Sequence, residues 1–181
     1  VQAQWAAREQ HLSRYVTEQP SYSILQRGIE AHVLPVAEEY GLGVLVWSPL
    51  ASGRLSGAVR AGREIATSRS EFMPERFDTA LPANRARLDA VERLAEVADE
   101  AGLTMIQLAL GFVTAHPAVT SALIGPRTLD HLRAQLAAAG TVLSADVLDA
   151  IDAIVTPGTD LAPHEKYDTP PALLDPSPRR R

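Results

Sequence analysis

The sequence contains no cysteine, which removes disulfides and thiolate metal sites from consideration. It contains one lysine, Lys166, in a Pro-rich C-terminal stretch. No apolar run approaches the roughly 20 residues that a membrane helix needs, and the first residues do not form a secretory signal. Basic residues do not dominate either. The formal net charge is −5, and Arg179-Arg180-Arg181 is a short run that reads as a solvated tail. Neither nucleic acid nor a membrane surface is an expected partner, and the expected compartment is the cytoplasm. The five histidines (His11, His32, His116, His131 and His164) show no metal-ligand spacing, so no metal site is expected. Ser48 and Ser52 lack a G-x-S-x-G elbow, which argues against a serine hydrolase. No G-x-G-x-x-G follows a strand, so a nucleotide would have to bind by another route.

What the chain does contain is enough apolar material for one domain, 46% of 181 residues. Its centre is Gly43 to Gly57, GVLVWSPLASGRLSG. Val44-Leu45-Val46-Trp47 is a short apolar run rich in β-branched residues, the pattern of a parallel strand buried on both faces. Ser48-Pro49 ends it, because proline removes a backbone donor. An indole, a hydroxyl and a small-residue turn are thereby delivered at the carboxyl end of a strand, the edge where parallel α/β proteins bind ligands.

Along the chain, Gln2 to Gln10 reads as a helix end and Arg14 to Gln19 as a short strand closed by Pro20. Ser21 to Arg27 is a loop. Ile29 to Tyr40 reads as a helix that Pro35 weakens, with Gly41 as its C′ residue. Residues 57–82 are polar and irregular, and a loop that long is usually functional or disordered. Asn84 to Ala101 is an amphipathic helix. Thr104 and Gln107 form a capping box for a buried helix over Met105 to Ala115. Val119 to Ile124 reads as a second buried strand, followed by a helix from Leu129 to Ala139. Ser144 caps a last helix carrying Val147, Leu148, Ile151 and Ile154. From Thr156 the composition shifts to Pro, Gly and Asp, a surface tail. Strands alternating with helices mean a parallel sheet built from βαβ units, with three strands visible.

Two places can carry chemistry. In Gly125 to Gln135, GPRTLDHLRAQ, Thr128 can cap a helix whose free N–H groups favour an anion, and Arg127 offers a fork for phosphate. This arrangement suits a phosphate monoester better than a pyrophosphate. The alternative is an ordinary turn with a solvated arginine. Trp47 likewise has two readings, a core residue or a stacking platform at the ligand edge. Gln19, also placed before a proline at a strand end, says little alone.

Three blocks, QPSYSILQR at 19–27, WSPLASGRL at 47–55 and IGPRT at 124–128, resemble the aldo-keto reductase family in order and spacing. The resemblance is to its later part and implies a partial TIM (β/α)8 barrel. Residues 1–155 would be the C-terminal half, with parallel strands six to eight and flanking helices, and 156–181 a tail. It further implies an NADP(H) site. Gln19 would bond the nicotinamide carboxamide, and Trp47 would stack on the nicotinamide where the family often has Tyr. Ser48, Pro49, Leu50, Ala51, Ser52 and Gly53 would run along the pyrophosphate. Gly125, Pro126, Arg127 and Thr128 would hold the adenosine 2′-phosphate. His131 and Gln135 would approach that phosphate and the adenine, Gln135 standing where the family commonly has Asn.

The family reduces carbonyls by hydride transfer from NADPH. A Tyr acts as general acid, its pKa lowered by a Lys paired with an Asp, while a His orients the substrate. No residue here matches that catalytic set, nor the Ser-Asn pair the family places just before this segment. The resemblance therefore implies the cofactor-binding half of a reductase acting on a small-molecule carbonyl. A catalytically silent nucleotide-binding or scaffold protein, as with relatives that serve as channel subunits, is the alternative, as is an inactive truncated product. Three strands cannot close a barrel, so open edges are expected, through which the chain alone would self-associate or pair with a complementary half, or else be unstable. Phe72, Met73 and Phe77 either line a substrate pocket or pack the loop onto the barrel rim.

Overall fold

The computed structural model describes residues 1–62 and 68–161. Three parallel strands form one sheet in the order β1-β2-β3, with β1 at Thr17–Glu18, β2 at Gly43–Val46 and β3 at Val119–Ala122. The helices are α1 (Gln2–Glu9), α2 (Val33–Glu39), α3 (Ser68–Phe72), α4 (Pro82–Glu100), α5 (Met105–Ala115), α6 (Leu129–Leu136) and α7 (Ala145–Ile154). Among the described residues no single helix is long and apolar enough to cross a membrane.

β1 is shorter than the predicted 14–19 strand: its pairing starts at Thr17 opposite Gly43, where β2 itself begins, and Gln19-Pro20 interrupts the ladder at the other end. It resumes as a parallel bridge between Ser21 and Trp47. The Trp47 N–H donates to the Pro20 carbonyl at 3.0 Å, and the Trp47 carbonyl accepts from the Tyr22 N–H at 3.2 Å. Between β2 and β3 the register slips at Val44/Leu45. Thr120 fills the slip: its Oγ1 accepts the Val44 N–H at 3.1 Å, satisfying a donor that the irregularity would otherwise orphan.

The expectation that the strands at 43–48 and 119–124 are buried on both faces is corrected. Val44 and Val46 are fully buried among Leu34, Ala37, Val91, Leu94, Leu108 and other helical side chains, whereas Gly43 and Leu45 are half-buried. In β3 burial is lower still, and Leu123 and Ile124 beyond it are 38% and 37% exposed. The physical reason is that, among the described residues, helices pack on the Val44/Val46 face and the sheet ends at β1 and β3. Among these residues both outer strands therefore present an open edge.

The helix predicted over Ile29–Tyr40 is two pieces. A 3₁₀ turn at Gly28–Ala31 breaks at His32 before α2 begins. Pro35 then falls on the third residue of α2, where a backbone N–H has no intrahelical acceptor to lose. Gly41 closes α2 at φ 61°, and the Leu42 N–H reaches back to the Ala37 carbonyl at 2.8 Å. The predicted helix at 84–101 starts two residues earlier, with Pro82 at its first position and no donor to waste there. α5 has the predicted bounds, with both bonds of the Thr104/Gln107 capping box present. α6 stops at Leu136, three residues short of its predicted end. The irregular 57–82 segment contains α3 and a 3₁₀ turn at Pro74–Arg76. Residues 63–67 and most of the predicted tail, including Lys166, His164 and the terminal arginines, lie outside the described residues.

Candidate functional site

The parallel order sets the carboxyl ends of all three strands side by side, and they lead into Gln19-Pro20, Trp47-Ser48 and Leu123 to Thr128. The Leu123 N–H donates to the Val46 carbonyl at 2.8 Å, fixing the third segment against the second. Gln19 is exposed and Trp47 half-buried, so the indole is not sealed in the interior. Gly125, Arg127, Thr128 and His131 are exposed and Pro126 is half-buried.

The turn after Trp47 has an unusual backbone. Ser48, Ala51 and Ser52 have φ of 59°, 48° and 58°. Left-handed conformations cost non-glycine residues roughly 1–2 kcal/mol each, and such strain clusters at functional sites. Local bonds hold it. The Ala51 N–H donates to the Ser48 carbonyl at 2.9 Å, and the N–H groups of Gly53 and Leu55 donate to the Leu50 carbonyl at 2.9 and 3.1 Å. The Ser52 N–H donates to Ser48 Oγ at 3.3 Å. Pro49, Ala51, Arg54 and Leu55 are buried under the turn, while Ser48, Leu50, Ser52 and Gly53 are half-buried. Gly53 sits at φ 91°, and a Cβ built there would meet nothing within 4 Å. Gly53→Ala should therefore cost about 1 kcal/mol through backbone strain alone. Urea titration reads this as a lower midpoint with an unchanged slope; a midpoint equal to wild type would mean that the turn does not hold this conformation in solution.

Thr128 caps α6, its Oγ1 accepting the His131 N–H at 3.1 Å. The exposed Arg127 therefore stands at a helix start with free amides. Gln135 lies two turns further on, about 10 Å along the axis. It is buried, and its Oε1 has no hydrogen-bond partner. An orphaned buried carbonyl costs about 1–3 kcal/mol, and because this oxygen is closed to solvent an outside donor reaches it only if the side chain moves. A Cβ added at Gly125 also meets nothing within 4 Å, so the space at this residue before the helix start is open. The exposed guanidinium beside a helix start is chemistry that suits an anion.

Two arginines that the sequence reading did not single out organise the surroundings. Arg27 is buried and donates from Nε to Glu30 at 2.8 Å and from Nη1 to Asp152 at 2.7 Å and the Val155 carbonyl at 2.6 Å. Its guanidinium lies 5.0 Å from the Phe112 ring centroid. The Tyr22 hydroxyl donates to Glu30 at 2.7 Å, and Glu30 Oε2 accepts the Gly158 N–H at 2.9 Å. This network ties the loop after β1 to α7 and to the segment leaving it. The only signal was Arg27 and Glu30 at a spacing of three; Asp152, 125 residues from Arg27, had none. Burial, and then the bond to Glu30, raise the Tyr22 pKa well above its ordinary 10.0. The unfolded chain thus releases this proton first. The resulting stability is intact below pH 10 and is lost as pH rises beyond it. Unfolding free energy should fall between pH 10 and 11, and Tyr22→Phe should reduce that slope; an unchanged slope would contradict the assignment.

The second is Arg54, buried beneath the turn. Nη1 approaches the Ala51 carbonyl at 3.4 Å, Nη2 donates to the Arg76 carbonyl, and the guanidinium stacks on Phe77 at 4.3 Å. Phe77 is therefore loop packing, as one of its two readings held, whereas Phe72 is 76% exposed.

Residues 2–156 match the model of the Aldo/keto reductase family, and the chain belongs to that family. The family's fold is a TIM barrel, of which parallel strands with flanking helices are a part, and its members generally use nicotinamide cofactors. The chain is similar to the "Uncharacterized oxidoreductase YrpG" of Bacillus subtilis (strain 168), 34% identical over 173 residues, across 95% of this chain and 48% of that protein. It is 34% identical over 147 residues to a "Probable voltage-gated potassium channel subunit beta" of Oryza sativa subsp. japonica, across 77% of this chain and 44% of that one. With "Protein tas" of Escherichia coli (strain K12) it shares 34% over 148 residues, across 82% and 42%. The chain thus spans about half the length of the curated relatives it matches.

Proposed function

We propose that this chain is the NADPH-binding, C-terminal half of an aldo-keto reductase that converts a small-molecule carbonyl to an alcohol. The observation that carries the reading is the row of three parallel strand ends feeding a strained small-residue turn on one side and a capped, arginine-bearing helix start on the other. Bound there, the nicotinamide would supply the hydride. Gln19 would orient its carboxamide and Trp47 would cover one face of the ring. Ser48 to Gly53 would follow the pyrophosphate, and Gly125 to Thr128 with Arg127 would hold the 2′-phosphate. His131 would stand near that phosphate, and Gln135 near the adenine.

The proton donor would lie on βα units that complete the barrel, paired to the open edges of β1 and β3; without them the same edges would take a second copy of this chain. The channel-subunit names among the relatives favour a second reading, a nucleotide-binding scaffold without turnover. NADPH titration of a Trp5→Phe variant, which leaves Trp47 as the emitting indole, tests the cofactor reading. Saturable quenching is expected, and no response at millimolar NADPH would refute it. Quenching without reduction of any aldehyde by the barrel-complete protein would favour the scaffold.

A further inference from the structure

We infer that Arg54 is a positioning residue for the pyrophosphate grip, acting through the Ala51–Ser52 peptide and coupling it to the 74–77 turn. The inference rests on the reading of the strand-end mouth as a nicotinamide-nucleotide site. Arg54 is buried beneath the turn, so it acts on whatever lies at the mouth through the backbone. In a trans peptide the carbonyl and the following N–H point in opposite directions. The Ala51 carbonyl faces inward to Arg54 Nη1 at 3.4 Å, and the Ser52 N–H on the same plane donates to Ser48 Oγ at 3.3 Å. Both contacts are long, so neither alone fixes the plane. Together they set the direction of the Ser52 N–H and the place of the Ser48 hydroxyl, two groups assigned to the pyrophosphate.

The other end of the guanidinium is fixed independently. Nη2 donates to the Arg76 carbonyl and the fork lies 4.3 Å from the Phe77 ring centroid. The 74–77 turn is itself anchored to α4, since Asn84 Nδ2 donates to the Glu75 and Asp78 carbonyls at 3.0 and 2.8 Å. A line of contacts thus runs from α4 through the 74–77 turn and Arg54 to the peptide at the mouth. A lysine could keep the charge at this position, but it could not bond two carbonyls while stacking flat on a ring.

Calorimetric titration of the chain with NADPH and, separately, with adenosine 2′-monophosphate tests this, because the second ligand lacks a pyrophosphate. Arg54→Met should weaken NADPH at least tenfold and Arg54→Lys at least fivefold, with adenosine 2′-monophosphate within twofold of wild type for both. Phe77→Leu, which keeps the site filled, should weaken NADPH about threefold with the same selectivity, and it decides the matter if Arg54→Met does not fold. Equal losses for both ligands would reduce Arg54 to a merely structural role. Wild-type NADPH affinity in Arg54→Lys would mean that charge, not positioning, matters. Either result overturns the inference while leaving the cofactor reading standing. A wild-type chain that binds neither ligand overturns both.

Discussion

Arg27→Met is expected to lower the unfolding free energy by about 3 kcal/mol, the low end of what removing one partner from a buried ion pair costs. Met fills similar volume, so the loss is electrostatic. Glu30 keeps the Tyr22 hydroxyl and the Gly158 N–H but loses its cation, and the Val155 carbonyl loses its donor. The cost stays at the low end because the Asp152 side chain is 43% exposed and water can take over its share. Domains are stable by only about 5–15 kcal/mol, so a loss of this size is a large fraction of the whole. Arg27→Lys should lose roughly half as much, since one ammonium cannot reach both carboxylates and the carbonyl with the same geometry. Urea unfolding followed by circular dichroism reads both. A Met variant within 0.5 kcal/mol of wild type, a margin of roughly ordinary surface-substitution size, would show that the network contributes no net stability.

Arg127→Leu should weaken NADPH by about 10–100-fold and leave NADH within twofold. Hydrogen bonds to charged groups contribute about 1.5–3 kcal/mol, and each 1.4 kcal/mol is tenfold in affinity. The cofactors differ only at the adenosine 2′ position, so a change confined to NADPH assigns the guanidinium to that phosphate. Arg127 is exposed at the start of α6, so its truncation removes no core contact and should not shift the urea midpoint. Equal losses for both cofactors would place Arg127 elsewhere on the nucleotide. No loss for either would make it the solvated arginine of the alternative reading.

The parts of this structure that were legible in the sequence are those set by local chemistry. The Thr104/Gln107 box fixed one end of α5, Gly41 the end of α2, and Ser144 the start of α7. The three parallel strands followed from apolar runs alternating with helices, and the mouth from where those runs stop. What was not legible depends on distant partners. Val119 to Ile124 reads as a buried strand, yet among the described residues helices pack on one face of the sheet and no strand lies on its far side, which leaves it partly exposed. Arg27 and Arg54 carry a permanently charged side chain, yet burial places one between α7 and Phe112 and the other beneath a turn. Those contacts join residues up to 128 positions apart, beyond any local pattern. The left-handed Ala51 and Ser52 were equally hidden, because neither residue type announces positive φ.

Whether the mouth formed by these strand ends grips a phosphorylated nicotinamide nucleotide, as proposed, is read residue by residue in backbone-resolved NMR of the chain during NADPH titration. Saturable amide shifts are expected at Trp47, Ser48, Leu50 to Gly53, Gly125, Arg127 and Thr128, with the last three largely silent when NADH replaces NADPH. Saturable shifts confined to the helical face around Leu94 and Val113, or no shifts at millimolar cofactor, would contradict the proposal.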